Sequence, residues 1–194
     1  MRPAVFLDRD GTLNVEKHYL YRREDWEWIP GAIDAIARLN VAGIPVIVVT
    51  NQAGIARGLY GDADVDRLHE MADDDARRAG ATIEAFYHCP HHPDYGARVA
   101  CDCRKPEPGM LLRAAAEHAL DLARSFIIGD RESDIEAGRR CGATSLLVAT
   151  GYGERTRRER GVDAPYFPSV VEAVAHILDT PRVPVSTACG SRSR

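Results

Sequence analysis

The chain has 194 residues, 45% apolar and 28% charged, which suits a globular protein with a full core and excludes a disordered, collagen-like or coiled-coil chain. Its 29 acidic residues outnumber its 25 basic ones, a formal charge of −4, which weighs against general nucleic-acid binding because that rests on neutralising phosphates. No apolar run reaches the roughly 18 residues of a membrane helix, and Ala4–Leu7 is too short for a signal-peptide core, so a cytoplasmic protein with neither membrane nor nucleic-acid partners is expected.

In chain order, Ala4–Leu7 is a short apolar run ending in Asp8-Arg9-Asp10-Gly11. Helical spacing follows over Gly31–Leu39, and Pro45–Val49 is a β-branched run ending in Thr50-Asn51. Asp62–Ala79 reads as a helix with Val65, Leu68 and Ala72 on one face, and Ile83–Tyr87 as a strand. Pro108–Leu120 predicts a helix with proline in its first turn. Ser125–Ile128 predicts a strand ending in Gly129-Asp130, Glu132–Arg140 a helix, Thr144–Val148 a strand and Val170–Leu178 a last helix. Continuously apolar strands alternating with helices imply an α/β, doubly wound (Rossmann-like) parallel sheet with helices on both faces. One domain is expected over residues 1–180, followed by a disordered Pro/Ser/Arg-rich tail over 181–194.

Ligands of such sheets bind beyond the carboxyl ends of the strands, and the polar clusters fall there: Asp8-Arg9-Asp10, Thr50-Asn51 and Gly129-Asp130. Two carboxylates two residues apart repel one another and need a cation or a shared proton. A hard divalent ion such as Mg²⁺ answers this, with Asp130 able to add a further oxygen. A second cluster holds Cys89, His91, His92, Cys101 and Cys103. Three thiolates and one imidazole make a closed tetrahedral site typical of structural Zn²⁺, with His91 or His92 as the fourth ligand. That loop, 89–105, runs into Arg104-Lys105-Pro106.

Asp8-Arg9-Asp10-Gly11-Thr12, Thr50, Lys105 and Gly129-Asp130 with Asp134 resemble the four ordered motifs of the haloacid dehalogenase-like phosphatases. The resemblance spans roughly residues 4–150. It implies hydrolysis of a phosphate ester through an aspartyl-phosphate, with Asp8 as nucleophile and Asp10 as acid and base. It further implies that Thr50 and Lys105 hold the phosphoryl oxygens, that Asp8, Asp10 and Asp130 hold Mg²⁺, and that Asp134 stands behind them. Cys-x-His with Cys-x-Cys-Arg-Lys-Pro is similar to the branch containing heptose bisphosphate and histidinol-phosphate phosphatases, where His91 is the zinc ligand. Too few residues separate the motifs for a cap domain, so substrate selection falls to loops. The resemblance points to Glu16, Lys17, His18 and Tyr19, to Asn51, Gln52 and Ala53, and to Arg104. The implied substrate is a small sugar phosphate, D-glycero-D-manno-heptose 1,7-bisphosphate losing its 7-phosphate for nucleotide-activated heptose and surface polysaccharide. Histidinol phosphate, or a catalytically silent zinc-stabilised binding module, are the alternatives. A monomer is expected.

Overall fold

The computed structural model describes residues 1–96 and 101–180; the expected tail, Cys189 and residues 97–100 of the cysteine loop lie outside them. The described residues form one parallel sheet of six strands: β1 (Val5–Leu7), β2 (Val46–Asn51), β3 (Ala85–Cys89), β4 (Phe126–Gly129), β5 (Thr144–Val148) and β6 (Tyr166–Phe167). Their spatial order is β3-β2-β1-β4-β5-β6. The helices are α1 (Ala32–Val41), α2 (Ala53–Ala56), α3 (Asp62–Arg78), α4 (Gly109–Glu117), α5 (Glu132–Cys141), α6 (Gly153–Arg160) and α7 (Val170–Asp179). Among the described residues no cap domain interrupts them, and no described helix is long and apolar enough to cross a membrane.

Strand residues alternate between two cores, because successive side chains leave opposite faces of a sheet. Val5, Leu7, Val46, Val48, Ile128, Leu146 and Val148 enter one, closed by Ile36 and Leu39 of α1 and Val170, Val174 and Ile177 of α7. Phe6, Ile47, Val49 and Ile127 enter the other, closed by Met110, Leu111 and Ala114 of α4 and Ala137 of α5. Burial on both faces explains why these strands read as unbroken apolar runs.

Two expectations need correction, and three elements are added to them. The third strand begins at Ala85 rather than Ile83 and runs to Cys89, because pairing with β2 continues through Thr50↔His88 and Asn51↔Cys89. The helix after Pro108 stops at Glu117, and Ala119 turns into the left-handed region (φ 53°). Finally, α2, α6 and β6 were not foreseen. In α6 only Gly153 and Thr156 are buried, so it carries no apolar stripe to read.

The direction of winding reverses between β1 and β4, which are neighbours in the sheet but not in sequence. The crevice at such a switch point is where doubly wound sheets bind ligands. Asp8 directly follows β1, and Asp130 directly follows β4.

Candidate active site and metal centre

The strand ends place Asp8, Asp130 and Asp134 with carboxylate oxygens within 4.8 Å of one another, all three buried. Lys105 Nζ stands among them, 2.7 Å from Asp8 Oδ1, 2.7 Å from Asp134 Oδ1 and 2.7 Å from the Val49 carbonyl. One ammonium faces three carboxylates. Burial outweighs the Lys105 charge and pushes Asp8 up to about 7. Burial, reinforced by Asp8 and Asp134, also raises Asp130 well above the usual carboxylate range. Asp130 Oδ1 is buried without a hydrogen-bond partner among the described residues. A surplus of buried negative charge with an orphaned oxygen fits a hard divalent cation.

Asp130 is held from behind by residues that belong to none of the motifs above. Its Oδ2 accepts from the Tyr152 amide at 2.7 Å, and its carbonyl accepts from Thr156 Oγ1 at 2.8 Å. Gly11 lies in the left-handed region (φ 86°), and a Cβ there would meet Asp130 Oδ2 at 2.4 Å. Both conditions require glycine. Asp134 also closes the start of α5, accepting from the Arg131 amide at 3.0 Å.

Above this floor lies a cavity of about 340 Å³. Of the residues expected there, Asp8, Asp10, Glu16, His18, Tyr19, Thr50, Asn51, Gln52, Ala53, Arg104 and Lys105 line it. Lys17 does not line it: its ammonium pairs with Glu27, 3.1 Å distant. Asn51 lines the cavity but uses its amide on the Lys105 backbone, donating to the carbonyl at 2.9 Å and accepting from the N–H at 3.0 Å. It thereby ties β2 to the lysine. Tyr60, His92, Arg131, Ser133 and Tyr152 also line the cavity and were missed. Arg131 lies 3.8 Å over the Tyr152 ring, and Tyr152 Oη bonds His18 Nδ1 at 3.0 Å. Arg131 directly follows the Gly129-Asp130 motif, which was the available signal.

Asp10 lines the same cavity. Its carboxylate accepts from Arg9, from Asn14 Nδ2 at 3.0 Å and from Gln52 Nε2 at 2.9 Å. Gln52 Nε2 also reaches Thr50 Oγ1 at 2.9 Å, and its Oε1 accepts from Tyr60 Oη at 2.7 Å.

The cysteine loop forms a second centre. Cys89, His91, Cys101 and Cys103 present ligand atoms within 4.8 Å of one another. Cys89 Sγ lies 3.6 Å from Cys101 Sγ and 3.1 Å from Cys103 Sγ, and His91 Nδ1 lies 3.3 Å from Cys103 Sγ. Zn–S bonds of about 2.3 Å in a tetrahedron set ligand separations slightly under 4 Å, so this donor set fits zinc. Burial pushes the Cys89 and Cys103 thiols up, a disfavoured state for thiolates that lack a cation. His91 faces the thiols, whereas His92 turns to the cavity and accepts from the Asp94 amide at 3.1 Å. Arg104 Nη1 donates to the His91 carbonyl at 2.9 Å, which couples this centre to the cavity wall.

Residues 102–177 match a family model described as HAD-hydrolase-like. The chain is 41% identical over 165 residues to the D-glycero-beta-D-manno-heptose-1,7-bisphosphate 7-phosphatase of Photorhabdus laumondii, covering 83% of this chain and 88% of that one. It is 46% identical over 144 residues to the protein of the same name from Rhodopseudomonas palustris, covering 73% and 80%. Among solved structures it resembles a D,D-heptose 1,7-bisphosphate phosphatase from B. bronchiseptica complexed with magnesium and phosphate. That match has a TM-score of 0.82 and 31% identity over 92% of this chain and 98% of that one.

Proposed function

The chain belongs to the D-glycero-beta-D-manno-heptose-1,7-bisphosphate 7-phosphatase family of haloacid dehalogenase-like hydrolases, and from that membership we propose the following division of labour in its site. The protein is a phosphoric monoester hydrolase that removes the 7-phosphate of heptose 1,7-bisphosphate, on the route to nucleotide-activated heptose for lipopolysaccharide. The substrate is the β anomer, as in the relatives' names.

Asp8 is the nucleophile. Lys105 engages its Oδ1 and leaves the second oxygen to attack phosphorus. As that bond forms, the ester P–O bond breaks and Asp10 gives its proton to the departing alkoxide. A water then loses its proton to Asp10 and attacks the phosphorus, releasing inorganic phosphate and Asp8. Thr50 Oγ1 and Lys105 Nζ face the phosphoryl oxygens. Arg104 and Arg131, both on the cavity wall, fit the second phosphate, which a guanidinium grips with two parallel hydrogen bonds.

Asp8, Asp130 and the Asp10 backbone carbonyl would hold Mg²⁺, with Asp134 beside them, and the ion would neutralise nucleophile and phosphoryl group together. Cys89, His91, Cys101 and Cys103 would hold a structural Zn²⁺ that fixes Arg104 and Lys105 over the cavity. Residues 1–180 act as one domain, working as a monomer.

The carrying observation is the buried group of Asp8, Asp130, Asp134 and Lys105 at the switch point of the sheet. The test is phosphate release with Mg²⁺ from both heptose 1,7-bisphosphate anomers and histidinol phosphate in parallel. The β anomer is expected to be hydrolysed fastest, leaving the 1-phosphate. Preference for histidinol phosphate would overturn the substrate assignment and leave the chemistry standing.

A further inference from the structure

Arg9 is fully buried, yet the chemistry above gives it no task. A buried guanidinium is unfavourable unless its donors are matched, and here they are. Nε donates to Asp10 Oδ2 at 3.1 Å, and Nη2 donates to Asp10 Oδ1 at 3.1 Å and Oδ2 at 2.8 Å. Nη2 also donates to the Leu20 carbonyl at 3.0 Å, and Nη1 meets His69 Nε2 at 3.4 Å. The Trp26 ring lies 6.0 Å from the guanidinium carbon. His69, from α3, is only 5% exposed and stacks on Phe86 with ring centroids 4.7 Å apart. Burial and then the Arg9 charge hold its pKa well below the usual histidine range, so the ring is neutral and its Nε2 lone pair can accept.

The arrangement is a chain of contacts: α3 holds His69, His69 holds Arg9, and Arg9 grips both oxygens of Asp10. A two-pronged grip fixes the plane of a carboxylate as well as its position. Proton transfer demands both, since a misplacement of about 1 Å can lower a rate about a hundredfold. We propose that Arg9, backed by His69, is a positioning residue that orients the Asp10 carboxylate for proton transfer to the leaving alkoxide. The proposal rests on the reading of Asp10 as the acid and base. A rival use of the same histidine is metal binding, because Asp66, His69 and His88 also bring ligand atoms within 4.8 Å of one another. A guanidinium in contact with the imidazole repels a second cation there, and positioning is the better account.

The test exploits leaving groups. An alkoxide needs a proton to depart, whereas p-nitrophenolate hardly does. The full-length, Mg²⁺-loaded enzyme is compared with Arg9→Gln, Arg9→Lys, His69→Leu and His69→Gln on heptose 1,7-bisphosphate and on p-nitrophenyl phosphate. Arg9→Gln is expected to lower kcat on the sugar ester at least about tenfold more than on the aryl ester. His69→Leu moves the ratio in the same direction, and His69→Gln, which keeps an acceptor, restores it. Equal losses on both esters for Arg9→Gln, or no difference between the two His69 variants, would overturn the proposal. If Arg9→Gln does not fold, the His69 pair decides alone. Wild-type enzyme that cleaves the aryl ester but no alkyl ester would overturn the functional reading itself, and the proposal with it.

Discussion

Asp130 carries a buried oxygen, unpartnered among the described residues, within 4.8 Å of two other carboxylates. Its neutral isostere should therefore relieve repulsion when no cation is bound. Asp130→Asn is expected to raise the Tm of metal-free protein and to abolish the Tm rise that Mg²⁺ gives the wild type. A ligand at a hundred times its Kd adds about 2.7 kcal/mol, roughly 5–10 °C at this size. Differential scanning fluorimetry with and without Mg²⁺ reads both, and an undiminished Mg²⁺ shift would remove Asp130 from the cation site. His69 gives a pH prediction. Its folded-state pKa is depressed, so as pH falls below about 6.5 the unfolded chain takes up a proton that the native ring does not. Stability from this group is present above that range and lost below it. Between pH 6.5 and 5 the Tm of the wild type should fall more steeply than that of His69→Gln; parallel curves would contradict it. At this scale the sequence made Asp8, Asp10, Thr50 and Lys105 legible, because each sits in a local motif. It concealed the partner of Lys17 and the contact between Arg9 and His69, because both depend on chain crossings that local spacing does not encode.

The loop carrying Cys89, His91, Cys101 and Cys103 is anchored at one end by β3 and at the other by α4, whose Gly109 amide donates to the Asp102 carbonyl at 2.9 Å. Cys101→Ser is expected to lose zinc by metal analysis, lower Tm and reduce turnover even in excess Mg²⁺, since Arg104 and Lys105 follow directly. Full activity in zinc-free Cys101→Ser protein would refute that role. Helix α7 offers a stability measure independent of the site. Ser169 Oγ accepts from the Val171 amide at 3.1 Å, while Glu172 accepts from the Ser169 amide at 2.9 Å. Ser169→Ala should therefore cost about 1 kcal/mol by urea denaturation, with kcat unchanged. Elements with an apolar period, α1, α3, α5 and α7, were readable within a residue or two. The four-residue α2, the polar α6 and the two-residue β6 were not, and α6 matters because Tyr152 and Thr156 hold Asp130.

Across the whole molecule, the parallel order β3-β2-β1-β4-β5-β6 brings Asp8 and Asp130 to one crevice, although more than half the chain separates them. The alternation of apolar strands with helices predicts such a sheet, and the two cores show why: each central strand is buried on both faces. What the alternation does not give is the cavity wall, built from strand ends, helix starts and loops that meet only after folding, which is why Arg131, Ser133 and Tyr152 are not apparent from it. On the proposal above, this assembly makes Asp8 the atom donor to phosphorus. A single turnover with excess enzyme, quenched in acid within milliseconds and digested, tests it most directly. One phosphoryl group is expected on the peptide carrying Asp8, appearing and decaying at rates compatible with kcat and absent in Asp8→Asn. Turnover at the wild-type rate by Asp8→Asn, or a phosphoryl group trapped on another residue, would contradict it.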